Sequence, residues 1–166
     1  MSKIQGRARK FGNNVDTDAI TPAAYLSLPQ EELKKYAFSP LVPDFYKTVK
    51  PGDIIVAGDN YGCGSSREAA TEMIKTLGIK YIVCGSMARI YFRNCIAIGV
   101  YPIIGKGVAD IINEGDQIEI DLDKGTVKNL ASGKTTTVQP VPEAIRPILE
   151  AGGILERLKQ RLYGQS

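Results

Sequence analysis

The chain has 166 residues, enough for one compact domain, 1–166, with a hydrophobic core. Its 21 basic and 18 acidic residues give a net charge of +3, and it has no basic block or interleaved aromatic stripe, which excludes the usual nucleic-acid-binding proteins. The first residues contain no apolar signal segment and no apolar run could span a membrane, so we expect a cytoplasmic protein without membrane contact.

The first third of the chain mixes short apolar segments with polar turns. Residues 3–11 predict a strand, and residues 12–22 a polar loop rich in Asx-type turn residues. A short helix is predicted at 22–25. A second helix is predicted at 30–36, because a proline precedes it, acidic residues come first and lysines last. Residues 39–52 contain three prolines and predict a loop.

A regular alternation of strands and helices follows. Strands are predicted at 53–57, 80–84 and 100–104, and helices at 66–77 and 87–97. The segments between the strands are too long for hairpins, so we expect parallel strands joined by helical crossovers.

The last part of the chain changes character. Residues 117–122 alternate apolar and polar side chains, as a half-buried antiparallel strand does. A helical turn at 108–112, strands at 125–129 and 134–138, and helices at 142–150 and 152–163 complete the pattern. In the last helix one face is apolar and carries Ile154, Leu155, Leu158 and Leu162. Layers of β-strands and α-helices in one α/β domain are expected.

Cysteine and histidine usage restricts the chemistry. The three cysteines, Cys63, Cys84 and Cys95, are an odd number without metal-ligand spacing, so we expect neither a disulfide framework nor a metal site. Cys84 and Cys95 lie in apolar segments and are expected in the core. The chain has no histidine, which excludes Ser-His-Asp and Cys-His catalysis. Proton transfer must therefore use a carboxylate, Lys, Tyr, Cys or an activated Ser.

The segment 61–70, YGCGSSREAA, lies between a predicted strand and a predicted helix. Its glycines allow backbone amides to approach a ligand closely, and the first amides of a helix favour an anion. The planar guanidinium of Arg67 suits a carboxylate. The segment predicts a small-anion site with a nucleophile or base. In the alternative interpretation, Ser65 or Ser66 only caps the helix and Arg67 is a surface charge. Cys63, between the glycines, is either reactive or space-filling.

Two more motifs lead to a family. These are 15–21, VDTDAIT, and 85–95, GSMARIYFRNC. Together with 58–68, GDNYGCGSSRE, they resemble in order and spacing the swivel domain of the aconitase superfamily. The chain is similar to the free-standing small subunits of 3-isopropylmalate dehydratases, in the short form of archaea and some bacteria. The motifs place the resemblance at residues 6–104, and we expect it to extend over the whole chain. It implies a swivelling β/β/α three-layer domain.

The resemblance also implies an activity that needs a partner. A separate large subunit would carry a [4Fe-4S] cluster on its own cysteines, and this chain would bind no metal. The substrate would be a small 2-hydroxy dicarboxylate, and 2- and 3-isopropylmalate would interconvert by dehydration and rehydration in leucine biosynthesis. Dimethylmalate, methylmalate/citraconate or homoaconitate hydratases are alternatives, as is a non-catalytic anion-binding assembly module. The chain lacks the cluster-binding domains of aconitase, and Cys63 stands where aconitases carry an acidic residue, which argues against citrate.

Matching motif positions give the expected site. Ser65 corresponds to the serine base, which backbone amides and a cationic side chain would stabilise as an alkoxide. Arg67 corresponds to the carboxylate-binding arginine, and Asp18 to a catalytic orienting group or, alternatively, a turn-capping residue. Further substrate contacts are expected from Ser66, Thr21 and Gly64.

Two other arginines fit three different roles. Arg89 and Arg93 share one helix face, and they face the partner, orient the glycine segment or form a solvated basic face. Alone, the chain is a candidate homo-oligomer.

The loop after the first motif would select the substrate. Family members that take a third carboxylate tend to carry an arginine there, whereas this chain has Ser27 and Leu28. A buried third carboxylate without a cation would be costly. Tyr25, Leu26 and Leu28 therefore suit an apolar group such as isopropyl. In the alternative interpretation, they only pin the loop to the core.

Overall fold

The structure, a computed structural model, describes residues 3–164. Seven strands form a sheet in the order β4-β3-β2-β1-β5-β6-β7. The strands are β1 (Lys3–Lys10), β2 (Ile54–Ala57), β3 (Tyr81–Cys84), β4 (Tyr101–Ile104), β5 (Gln117–Asp121), β6 (Thr126–Asn129) and β7 (Thr135–Thr137). Strands β1 to β4 are parallel, which confirms the predicted crossovers. Strands β5 to β7 extend the sheet antiparallel from β1.

The described helices are short. They are α1 (Thr17–Ile20), α2 (Gln30–Leu33), α3 (Phe45–Thr48), α4 (Glu68–Thr76), α5 (Arg89–Ile98), α6 (Arg146–Ala151) and α7 (Ile154–Tyr163). Turns of 3-10 helix occur at Ala23–Tyr25, Lys34–Tyr36 and Val108–Ile111. None of these helices has the length and apolar character needed to cross a bilayer.

The two faces of the parallel strands pack against different layers. Because side chains alternate along a strand, Ile54 and Val56 point to one face and pack with residues of β5 and β6. Ile55 and Ala57 point to the other face and pack with α4, α5 and the segment 11–45. The antiparallel strands thus cover one face of the parallel strands and the helices cover the other. This arrangement confirms the predicted α/β fold with β/β/α layers.

Two helical turns lie where the sequence predicted only loop. In α1 the carboxylate of Asp16 accepts the amide of Ala19 at 2.7 Å, so an aspartate that suggested a turn acts as a helix cap. In α3 the ring of Phe45, 1% exposed, packs against the rings of Phe11 and Phe38. Tertiary burial of this ring, which local propensity does not report, accounts for the second turn.

Candidate active site

The glycine-rich segment is a ten-residue loop, 58–67, between β2 and α4. On one side it pairs with the segment that enters α5: the amide of Tyr61 donates to the carbonyl of Ser86 at 3.0 Å, and the amide of Ala88 donates to the carbonyl of Tyr61 at 2.8 Å. The side chain of Ser86 also accepts the amide of Asn60 at 2.8 Å. The second and third sequence motifs are therefore joined by backbone hydrogen bonds.

On its other side the loop pairs with the first motif. The amide of Gly62 donates to the carbonyl of Val15 at 2.7 Å, and the amide of Thr17 donates to the carbonyl of Cys63 at 2.9 Å. All three motifs consequently meet where the chain leaves the carboxyl ends of parallel strands, the edge of an α/β sheet where ligands bind.

Two glycines in the loop are required by its geometry. Gly62 has φ +78° and Gly64 has φ +98°, in the left-handed region that side chains disfavour. A Cβ atom on Gly62 would also overlap the ring of Tyr91. That ring is 2% exposed, and its hydroxyl donates to the carbonyl of Ala70 at 2.9 Å. The loop is thus held against a fixed aromatic ring of α5.

A cleft of about 220 Å³ opens beside the loop. Its wall includes four residues that the sequence predicted for the site, Gly64, Ser65, Ser66 and Arg67. The other lining residues come from α1, the loop and α5, and are Thr17, Gly62, Ala88, Arg89, Ile90, Tyr91 and Asn94. Ser65 and Ser66 are exposed and Arg67 is partly buried.

The two serines do not cap the following helix. Helix α4 begins at Glu68, and its N-cap residue is Arg67, which makes no side-chain capping bond. The alternative interpretation of the serines as helix caps is therefore wrong. Their hydroxyls remain at the surface of the cleft.

Thr17 is a neighbour of Ser65 that the sequence analysis missed. The two hydroxyl oxygens lie 3.3 Å apart, and Thr17 is 2% exposed. No spacing in the sequence indicates this contact, because it depends on the pairing of loop 58–67 with α1. Asn94, another lining residue, was missed for the same kind of reason.

Asp18 and Arg67 form an ion pair at the rim. The guanidinium of Arg67 lies 3.3 Å from the carboxylate of Asp18, which also accepts the amide of Ala23 at 2.9 Å. The amide of Ala23, followed by the hydrogen bond from Arg67, lowers the pKa of the Asp18 carboxyl. Asp18 therefore fixes the turn after α1 and pairs with the guanidinium of Arg67, and its catalytic role stays a prediction.

Thr21, which was expected to contact the substrate, and residues 25–28, which were expected to select it, do not line the cleft. Thr21 is fully buried, and its hydroxyl donates to the carbonyl of Thr17 at 3.3 Å. The ring of Tyr25 stacks on that of Tyr36 with centroids 3.7 Å apart. Leu26 and Leu28 pack against the core. Among residues 25–28 only Ser27 is exposed. The packing therefore favours the alternative interpretation, in which these residues hold the loop on the core.

The structure separates the two arginines of α5. Arg89, the first residue of the helix, lines the cleft and is exposed. Arg93, one turn later, is exposed outside the cleft wall. The cleft wall thus includes two arginines, Arg67 and Arg89.

The cysteines do not form a metal centre in the described part of the chain. Burial raises the pKa of the Cys84 thiol to about 12 and also raises that of Cys95, so both are core thiols. Cys63 is partly exposed and its carbonyl, rather than its thiol, supports α1. Within residues 3–164 no three His, Cys, Asp or Glu side chains are grouped to hold a metal ion. These residues do not fit an iron–sulfur cluster.

The sequence is similar to a known protein family and to several of its members. Residues 3–106 match the aconitase C-terminal domain family. The isopropylmalate/citramalate isomerase small subunit of Methanocaldococcus jannaschii is 49% identical, with 97% of this chain and 96% of that protein covered. The 3-isopropylmalate dehydratase small subunit of Aquifex aeolicus is 46% identical, with 96% of each covered.

A solved structure gives the same result. The crystal structure of a 3-isopropylmalate dehydratase from Methanocaldococcus jannaschii has a TM-score of 0.90 and 46% identity, and 98% of this chain and 97% of that chain are covered. From the fold, the meeting of the three motifs and these matches, the chain belongs to the aconitase C-terminal domain family.

Proposed function

We propose that the chain is the small subunit of a 3-isopropylmalate dehydratase, a hydro-lyase of leucine biosynthesis that is active only with its large subunit. The observation that carries the proposal is the cleft: exposed serine hydroxyls and a guanidinium lie together in a chain that is similar over its whole length to subunits of that name. Ser65 and Ser66 of the cleft are exposed, so a partner would be needed to exclude water during the reaction.

The substrate class follows from the charges of the cleft. A 2-hydroxy dicarboxylate has two negative ends, and Arg67 and Arg89 provide two cations for them. The guanidinium of Arg67 is already oriented by Asp18, which would set the position of one carboxylate. Small dianions therefore suit this site better than neutral molecules do.

Ser65 is the proposed base. It would take the proton from the carbon next to the hydroxyl-bearing carbon. The C–H electron pair then forms the carbon–carbon double bond, the C–O electron pair leaves with the hydroxyl, and a proton from an acid of the large subunit or from solvent would complete the water. In the return step, a water would give its hydroxyl to the carbon that lost the proton and one proton back to that acid or to solvent, while Ser65 would give its proton to the carbon that lost the hydroxyl. Loop amides and Arg67 favour a negative charge on the serine oxygen, and the Thr17 hydroxyl at 3.3 Å would orient it.

The cluster of this family is proposed to reside on the large subunit, because the described cysteines and carboxylates of this chain do not fit it. When bound there, it would supply a Lewis acid for the leaving hydroxyl. The part of this chain is to bind the carboxylates, to hold the serine in place and to move the proton.

The proposed specificity is for alkyl-malates with a small apolar group. The cleft wall includes two arginines, Arg67 and Arg89, which match the two carboxylates of an alkyl-malate. The relative from Methanocaldococcus jannaschii is named for both isopropylmalate and citramalate. One methylene in an apolar pocket changes specificity by about 10–200-fold, and isopropyl and methyl differ by two, so we propose that isopropylmalate is the preferred substrate and citramalate a poorer one.

The proposal is tested by mixing the purified chain with a cluster-loaded large subunit under anaerobic conditions. Absorbance of the ene-diacid is then followed on 2-isopropylmalate. Turnover is expected only in the mixture, and its loss is expected in Ser65→Ala. Tight association without turnover would instead favour the assembly module. A fully active Ser65→Ala complex would refute the base assignment, and an unchanged KM in Arg67→Lys would refute bidentate carboxylate binding.

A further inference from the structure

The last helix, α7, is oriented opposite to an ordinary surface helix. Its apolar stripe consists of Ile154, Leu155, Leu158 and Leu162, which are 49%, 71%, 49% and 66% exposed. The partly buried side chains of the helix are polar, namely Arg157 and Gln160. An amphipathic helix normally buries its apolar side, so this helix presents to solvent the face that should be covered.

The position of α7 is fixed by the rest of the chain. It packs against α5 and α6. Gly99 at the end of α5 touches Gly152 at the start of the α6–α7 turn so closely that a Cβ on Gly99 would overlap the backbone. The ammonium of Lys75 donates to the carbonyls of Ile98 and Gly152 at 3.1 and 3.3 Å. The exposed stripe therefore belongs to an anchored helix.

A groove between α6 and α7 adjoins the stripe. It has a volume of about 290 Å³. Two cationic residues four positions apart on α7, Arg157 and Arg161, line it. The other lining residues are apolar, and they are Ala144, Pro147, Ile148, Ile154 and Leu158. A segment that fills this groove needs apolar side chains against its apolar residues and carboxylates near its two arginines.

The charges beside the stripe disfavour a second copy of the chain. At about 3.6 residues per turn, Lys159 and Arg161 lie on its two edges. In an antiparallel pair of copies, the edge that carries Arg157 and Arg161 would face the same edge of the other copy, so like charges would meet. Lys159 has a partner at 3.5 Å in Glu156, whereas within residues 3–164 no ion pair engages Arg161. An acidic partner is complementary.

The stripe is remote from the cleft. Residues at the start of α4 and α5, among them Arg67 and Arg89, adjoin or line the cleft, whereas Lys75 and Ile98 at their ends lie beside α7. The nine residues of α4 alone separate the two places by about 13 Å. A contact at α7 would hold a partner without obstructing the cleft.

We propose that the apolar stripe of α7 and the α6–α7 groove dock an amphipathic, acidic helix of the large subunit, as an anchor separate from the contact at the cleft. This inference rests on the proposed function. The anchor would keep the subunits associated while the cleft opens for substrate and product.

The test measures the dissociation constant between the full-length chain and the purified large subunit by calorimetry under anaerobic conditions. Leu158→Glu and Arg161→Glu are expected to raise it about tenfold or more, because an apolar contact is lost or a charge reversed. Leu41→Glu is the matched control, since Leu41 is also 49% exposed and lies in another part of the chain. Thermal melts check that each variant is folded.

If the wild-type complex is active and both α7 variants bind the large subunit with wild-type affinity, the anchor is overturned and the proposed function is left intact. A wild-type chain that neither binds nor turns over with the large subunit would overturn both. Sedimentation of the chain alone tests the other occupant: a wild-type dimer that becomes monomeric in Leu158→Glu would show that a second copy covers the stripe and that the proposal is wrong.

Discussion

Replacing Gly62 by alanine tests how loop 58–67 is held against α5. The φ of +78° is expected to cost about 1–2 kcal/mol for a residue with a Cβ atom. The new methyl group also overlaps the ring of Tyr91, and forcing extra atoms into a packed site typically costs about 1–3 kcal/mol. We therefore expect Gly62→Ala to lower the free energy of unfolding by about 2–5 kcal/mol, the sum of these two costs.

Gly133→Ala is the matched control in this experiment. Gly133 has φ +79° and no neighbour within 4 Å of an added Cβ, so its substitution measures the backbone cost alone. Chemical denaturation of both variants gives the difference that belongs to the ring contact. In Gly62→Ala/Tyr91→Ala the ring is absent, so the double variant should be less destabilised than the sum of the single variants. Equal destabilisation by Gly62→Ala and Gly133→Ala would refute the reasoning.

Three further predictions concern the cleft. Thr17→Val should lower kcat about 2–10-fold because one hydrogen bond is removed, whereas Thr17→Ser keeps the hydroxyl and should keep the wild-type kcat. Equal kcat values in the two variants would exclude an orienting hydroxyl. The pKa of Asp18 is lowered by the amide of Ala23 and by the neighbouring guanidinium, so its stabilisation is present above the unfolded pKa and is lost as pH falls through the folded one. Urea midpoints should thus fall more between pH 7 and about 3 in the wild type than in Asp18→Asn, and parallel curves would contradict this. Arg89→Ala should raise KM in steady-state assays and Arg93→Ala should not; equal KM values would exclude Arg89 from binding.

The sequence predicted the central strands and helices well, because buried strands and amphipathic helices leave clear periodicities. Strands at 53–57, 80–84 and 100–104 all appear within one residue of their predicted limits. The failures are helical turns with no periodicity of their own. Helix α3 depends on the burial of Phe45 against rings from other segments, and the sequence around Phe45 does not predict these contacts.

For the candidate site, the sequence indicated residue types, and the structure places four of the predicted residues in one cleft. The glycines, serines and arginine of loop 58–67 have a chemistry that the sequence already displays. Their neighbours were not predictable, because Thr17 reaches Ser65 only through backbone pairing between α1 and the loop. Likewise, only the structure distinguishes Arg89 from Arg93, since the direction of the α5 axis decides which one reaches the cleft.

The order of residues along the chain determined the α/β pattern, the residue types of the candidate anion-binding loop and the exclusion of histidine catalysis, because these depend on side-chain type and short-range spacing. Tertiary structure alone decided that the three motifs converge, that Thr21 is buried and that the apolar side of α7 faces outward. These outcomes depend on contacts between segments far apart in the chain. Local periodicity identifies an apolar face of a helix but does not specify which neighbour covers it.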